Sequence, residues 1–375
     1  MMTPRSFTIL CVVTVLVSIA AIAVDEDSSA IPGSGELLFP KLLSDINEIE
    51  KIEGASAGER FTLTRGSGGW IVPGKSGYPA NADKVHKLLV GAAGLKRVEP
   101  KTKKEALYSK LGLEDLSSES SRAVSFTFEA AGDSMLASLI VGNSAPAKGD
   151  PDASAIYVRL PGDPQSWLVK GKLPKDGALL DWLDRKVLDL ERARSREVRV
   201  RHEDGEVVVV SKNSPADKDF SLADVPPGKE IDAQWSINDI GRSLTDLDLE
   251  DVRPRDALAA DTRPAFTVTM RTFDGLAVVM DVFKDDKEVL GLLKASFEPA
   301  DQSQGGQPAG PEDADGSKTS PGLLTPEQVR AEAAKLNARL SNWVYVLPDF
   351  KFDHLAKKPA DLLKDETKDP QPAGG

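Results

Sequence analysis

A single cysteine, Cys11, stands in the chain, and it lies inside an apolar run. One thiol excludes an intrachain disulfide and a cysteine metal site, so a hydrophobic core has to carry the stability, and the place of Cys11 inside the apolar run argues against a Cys/His nucleophile. Lipid attachment needs a small residue ahead of the cysteine, and Leu10 stands there, which sets a lipoprotein reading aside. Histidine is nearly as scarce: His86, His202 and His354 fall in separate stretches, so the sequence offers no zinc-ligand spacing. Basic residues are outnumbered, 47 Lys and Arg against 59 Asp and Glu, for a net charge of −12. That balance argues against nucleic acid as a partner, because phosphate contacts need clustered cations that release counterions. No G-x-S-x-G elbow occurs either, although a Ser/His/Asp group assembled only in three dimensions stays open.

What is present suits a globular protein: 40% hydrophobic and 28% charged residues in a chain of 375. That length predicts two folded units rather than one.

Residues 7–24 form an 18-residue apolar run broken only by Thr8, Thr14 and Ser18, about the minimum for the ~30 Å hydrocarbon core of a bilayer. Arg5 precedes it, and Asp25, Glu26 and Asp27 follow. By the positive-inside rule the N-terminus is cytoplasmic and the bulk of the chain is extracytoplasmic, a single-pass protein of the cytoplasmic membrane facing the periplasm. The Ala21-Ile22-Ala23 triplet offers a cleavage site, so secretion after Ala23 is the alternative to an anchor, which is favoured. Residues 1–24 are thus a membrane anchor or signal segment, and 25–36, with Pro32, Gly33 and Gly35, read as a linker.

Beyond the linker the same order of patterns occurs twice, in 37–194 and 195–364. Ile46, Ile49 and Ile52 open a β pattern, Phe61 and Leu63 continue it, and Trp70 and Val72 form a third strand after a Gly-rich break. The second half answers with Val198 and Val200, Val207 to Val210, and Phe220 and Leu222. Alternation with Gly-rich breaks predicts antiparallel meanders. A helix follows each, with apolar stripes Val85, Leu88, Ala92, Leu95 and Ile237, Ile240, Leu244, Leu247 on one face. Pro100 and Pro254 close similar exits. Val124, Phe126, Phe128 and Phe266, Val268, Met270 alternate alike, turn at Gly132-Asp133 and Asp274-Gly275, and return as strands. Ser166-Trp167 and Asn342-Trp343 come near each end, followed by expected helical stretches at 179–190 and 355–363. The fold class expected is therefore α+β, two tandem copies of an antiparallel β-meander plus helix.

The second half also carries an insertion, 299–322, whose Gly, Pro, Gln, Ser and Asp content predicts a disordered loop. Thr325-Pro326-Glu327-Gln328 after it reads as an N-cap, a proline at the first helical position and a capping-box glutamine. The tail, 365–375, is polar.

The sharpest chemical motif is Gly69-Trp70-Ile71-Val72-Pro73-Gly74-Lys75-Ser76, a full match to the G-x-x-x-x-G-K-[ST] phosphate loop. Its context argues against nucleotide, since Trp70 to Val72 read as the strand itself and Gly77, Tyr78 and Pro79 stand where a helix should begin. The apolar run ending in Asp281 mimics a Mg²⁺ partner, but such runs are common in β proteins. No pair of carboxylates is singled out by spacing, and a solvated acidic surface accounts for them. Trp70, Tyr78, Trp167, Trp235 and Trp343 could line a sugar or peptide groove, with core packing the preferred role.

Gly69-Trp70-Ile71-Val72, the turn Tyr78-Pro79-Ala80-Asn81, the helix start Asp83 to Leu89, Lys110-Leu111-Gly112-Leu113, and Trp343 to Pro348 together resemble the domain-of-unknown-function 4340 (DUF4340) family. These signatures are structural, with Trp70, Tyr78, Pro79, Asp83 and Trp343 the residues that carry them, and the resemblance implies no catalytic residue, cofactor or metal. It implies a membrane-anchored, outward-facing protein associated with an ABC-type transport system. The expected function is a non-enzymatic accessory or scaffold, with transporter subunits or other envelope proteins as partners. An extracytoplasmic glycan- or peptide-binding module is the alternative, and a hydrolase whose site is invisible in sequence comes third.

Overall fold

The computed structural model describes residues 34–146, 154–284, 288–299 and 323–365. The membrane segment 1–24, nearly all of the linker, the insertion beyond Pro299 and the tail beyond Asp365 lie outside the described residues. Among those described, no helix is long and apolar enough to cross a membrane. The architecture is α+β, dominated by antiparallel sheet.

The chain divides into two compact units, residues 1–74 with 79–183, and residues 75–78 with 184–375. The sequence patterns divide it near Arg194; the compact units divide at Leu183 and Asp184, and the short segment Lys75–Tyr78 goes with the second unit.

The first unit opens with α1 (Leu42–Asp45) and a 3-10 turn at Ile46–Glu48. Ile46 and Ile49 are thus not strand residues. With Leu42 they recur at steps of four and three, a helical spacing, and Ile49 is fully buried. The strands are β1 (Lys51–Ser56), β2 (Glu59–Gly66), β3 (Gly69–Val72) and β4 (Tyr78–Pro79). After α2 (Ala82–Ala93) come β5 (Lys96–Pro100), the single turn α3 (Tyr108–Leu111), β6 (Val124–Ala130), β7 (Ser134–Pro146), β8 (Ser154–Arg159) and β9 (Ser166–Lys170). The sheet order is β4-β3-β2-β1-β6-β7-β8-β9-β5.

Helix α2 begins where Asn81 accepts the Lys84 N–H at 2.9 Å, satisfying one of the orphan donors of the first turn. Val85, Leu88 and Ala92 turn inward from it. Gly54 lies opposite Phe61 in the β1/β2 register, and a Cβ there would fall 2.0 Å from the Phe61 ring. The ring therefore lies across the strand, 5.4 Å from Trp182, which also meets Phe126 at 5.8 Å. Trp182 belongs to a 3-10 turn, Leu179–Trp182, and is completely buried.

The second unit contains β10 (Lys186–Asp189), β11 (Ser195–His202), β12 (Val207–Ser211), β13 (Ser221–Leu222), β14 (Lys229–Ile231), α4 (Gln234–Arg242), β15 (Asp246–Asp248) and β16 (Asp251–Pro254). It continues with β17 (Phe266–Thr272), β18 (Leu276–Lys284), β19 (Val289–Phe297), α5 (Pro326–Leu340), β20 (Trp343–Leu347), α6 (Asp349–Leu355) and β21 (Leu363–Asp365). Its main sheet runs β13-β12-β11-β17-β18-β19-β20-β16, and β10-β15 and β14-β21 form separate two-stranded ribbons.

The expected helical stretches at 179–190 and 355–363 resolve into shorter pieces. The first is a 3-10 turn followed by β10, where Leu188 pairs with Leu247. The second is the end of α6, a 3-10 turn at Pro359–Leu362 and β21. Leu247 therefore lies on a strand and α4 stops at Arg242. Short apolar runs do not separate strand from helix by periodicity, and pairing with a distant strand decided both.

Helix α5 has the expected capping box: Thr325 Oγ1 accepts from Gln328 N and Gln328 Oε1 accepts from Thr325 N. Asn337 fixes it to β19, donating to Ala295 O at 2.7 Å and accepting from Ala295 N at 2.8 Å. In α4, Gly241 sits where a Cβ would come 2.5 Å from the Phe220 ring.

From β3 and β13 onward the two sheet orders match position by position. At equivalent edge ladders, Trp167 faces Pro100 and Trp343 faces Pro254.

Candidate functional site

The five motif residues lie on β3, β4, the first turn of α2 and β20. Trp70 lies half-buried on β3 with the Arg65 guanidinium 5.1 Å from its ring, and its carbonyl accepts from Ala80 N at 2.8 Å. Pro79 is half-buried in β4. Asp83 is exposed in the first turn of α2, where a carboxylate opposes the positive end of the helix dipole. Tyr78 is buried. Its ring meets Trp343 edge-on at 5.1 Å and Tyr345 at 6.4 Å, and its hydroxyl donates to Asp184 O at 3.0 Å. Burial raises the Tyr78 phenol well above its ordinary 10.0 and does the same to Tyr345. The Tyr345 hydroxyl is buried with no hydrogen-bond partner. The three rings form one aromatic cluster.

The phosphate-loop match does not form a phosphate loop. Pro73–Lys75 is a 3-10 turn, Ser76 and Gly77 take left-handed backbone, and a strand follows. The Lys75 ammonium is held by Asp251 at 2.6 Å. Asp281, the other element of that motif, accepts from Thr267 at 2.7 Å.

The three histidines lie in different elements. His86 is exposed, His202 is buried at the end of β11, and His354 lies on α6. Among the described residues no group of three metal-binding side chains converges.

Charged groups do converge in the second unit, in a cavity of about 240 Å³ bordered by Arg192, Asp239, Arg242, Asp246, Lys351 and His354. Asp239 and His354 approach at 3.4 Å between Oδ2 and Nδ1, a carboxylate beside an imidazole. The third member of a Ser/His/Asp triad is not delivered. Ser243 lines the same cavity, but its hydroxyl donates to Ile240 O at 2.8 Å. Lys351 donates to Asp246 O at 3.0 Å, and burial lowers its pKa while Asp246, Asp248 and Asp239 pull the other way.

A model of the DUF4340 family, described as a domain of unknown function, matches residues 70–267, more than half of the chain. The chain belongs to the DUF4340 family. No curated protein and no solved structure matches it. The match begins at Trp70 and takes in Tyr78, Pro79 and Asp83, so four of the five motif residues lie within the part that defines DUF4340, and Trp343 lies beyond it.

Sequence reasoning missed Trp182, Arg194 and the cavity cations. Arg194 is buried, and its guanidinium meets Asp274 at 2.8 Å and Glu332 at 2.6 Å. Its only local signal is position, next to the strand that opens the second half. Arg192 stands in an arginine-rich stretch with Arg194 and Arg196, while Arg242 and Lys351 have acidic neighbours, and nothing in their spacing links the three.

Proposed function

We infer that this DUF4340 chain is a non-enzymatic, membrane-tethered accessory or scaffold protein, standing extracytoplasmically beside an ABC-type transport or envelope assembly. It is built from two copies of one α+β unit. The observation that carries the reading is the match of sheet orders together with its Trp-Pro edge pairs, Trp167 on Pro100 and Trp343 on Pro254. A duplicated frame whose recognisable residues pack rather than react offers surfaces more readily than a catalytic centre. The apolar run 7–24 with its flanking charges supports the tether.

The test is crosslinking of the tagged full chain in native membranes, with mass spectrometry of what co-purifies and of the N-terminus. Transporter subunits recovered with an intact N-terminus bear the reading out. A processed N-terminus with no membrane partner sinks it. A second experiment deletes residues 1–24: folded soluble protein that has lost its biological effect is expected, and full activity from a secreted form contradicts the tether.

The second reading, an extracytoplasmic binding module, is favoured by one observation. Trp235 and Phe350 are 58% and 59% exposed, and large apolar side chains left in water mark contact sites when they cluster. A hydrolase stands behind both, because the Asp239-His354 pair has no hydroxyl delivered to it.

A further inference from the structure

Three cations meet at the 240 Å³ cavity, from Arg192 after β10, Arg242 at the end of α4 and Lys351 in α6. Its carboxylates are already engaged: Asp246 takes Lys186 at 2.7 Å and Asp239 faces His354. Arg242 donates to Lys218 O at 3.1 Å and Lys351 to Asp246 O at 3.0 Å, both neutral carbonyls. Among the described residues none of the three cations forms an ion pair.

Asp239 and Asp246 stand in the same lining and act on Lys351 through space, yet three cations outnumber them and none is held in a direct ion pair; such a site attracts an anion, and a guanidinium presents its donors in the fork that fits carboxylate or phosphate. The volume is below the ~300–1,000 Å³ of drug-sized sites, which suits a small molecule rather than a polymer. Phe350 forms part of the wall, exposed, and Trp235 stands 6.0 Å from the His354 ring. An apolar face is therefore offered beside the charged one.

The geometry points to a binding site for a small organic oxyanion, a phosphate ester or carboxylate with a flat apolar group, held by Arg192, Arg242 and Lys351 with its apolar face on Phe350. Burial of the Lys351 ammonium supports this, because a desolvated cation gains more from an anion than a hydrated one does. The site is independent of the scaffold reading and needs no transporter.

The experiment titrates the purified full chain with phenyl phosphate, inorganic phosphate and benzoate by calorimetry at low salt. Saturable binding of phenyl phosphate, benzoate or both is expected, and which of them binds names the acid. Arg242→Gln and Lys351→Met should each weaken it about tenfold or more, with thermal unfolding retained. Arg192→Gln, at an exposed position, serves if either fails to fold. Phe350→Ser should lower the affinity for phenyl phosphate and leave that for inorganic phosphate unchanged. Absence of saturable binding by all three probes overturns the site, as does wild-type affinity in the folded cation variants.

Discussion

The Tyr78 ring meets the Trp343 ring edge-on, with centroids 5.1 Å apart and planes at 83°. The two residues are far apart in sequence, Tyr78 inside the family match and Trp343 beyond it, and they pack as a T-shaped pair with the phenol tied to Asp184 O. Tyr78→Phe keeps the ring and loses one hydrogen bond, at a cost of about 1 kcal/mol. Tyr78→Ala empties a buried aromatic position and should cost ~3–5 kcal/mol. Urea unfolding of the two variants measures the difference, and equal losses would refute the packing role.

Tyr345 lies in the same cluster with a hydroxyl that has no partner. Tyr345→Phe removes an unsatisfied buried polar group and should leave stability unchanged or raise it by about 1 kcal/mol. The pH dependence has a definite sign. With the folded phenol raised above 10.0 by burial, the unfolded chain ionises first as pH climbs past 10.0 and then binds fewer protons than the folded one, so stability falls. The variant should show a shallower alkaline loss in melting temperatures taken on either side of that pH.

Arg194 is a different kind of buried group, a cation shared by Asp274 and Glu332. Asp274 also accepts from Thr272 and from Leu324 N, so one carboxylate ties the start of β11 to the approach of α5. Asp274→Leu leaves the guanidinium half-partnered and should cost ~3–5 kcal/mol, whereas the double change Arg194→Met with Asp274→Leu should recover part of that. A double-mutant cycle by chemical denaturation reads the coupling, and strictly additive losses would argue against it.

Lys75 answers the phosphate-loop question. Its ion pair with Asp251 is partly exposed, and such pairs contribute roughly 0–1 kcal/mol. Lys75→Ala should therefore shift stability by no more than that and leave any response to ATP unchanged. Fluorescent-nucleotide titration checks it, and a loss of nucleotide affinity on substitution would restore the motif to function.

Glycine under an aromatic ring recurs in both units, Gly54 beneath Phe61 and Gly241 beside Phe220. Alanine at either place drives a methyl group into the ring and should cost ~1–3 kcal/mol. Gly58→Ala is an unsuitable control because its φ is +84°; Gly68, with open space around it, is the suitable one. Melting curves that treat all three alike would show that the rings yield freely.

Much of the frame was readable in advance because it is written in local periods. Alternation at Phe266, Val268 and Met270 marks β17, the stripe Val85, Leu88, Ala92 marks α2, and Thr325 to Gln328 announces α5 with its capping box. Errors fell where a short apolar run fits two periods: Ile46 went to a 3-10 turn with Ile49 just after it, outside any strand, and Leu247 went to a strand because Leu188 pairs with it. The candidate site was hardly legible, since Arg192, Arg242 and Lys351 carry no spacing that connects them.

The sequence by itself determined the α+β class, the strongly alternating strands such as β17, the capped start of α5, and the scarcity of thiols and imidazoles that restricts the chemistry. Only the tertiary structure decided that Tyr78 packs on Trp343, that Trp182 is fully buried, that Arg194 is shared by two carboxylates, and that three cations face one cavity. The reason is physical: a period of two or 3.6 residues constrains a side chain against its own segment, while burial and charge pairing depend on partners that chain closure brings from a hundred residues away.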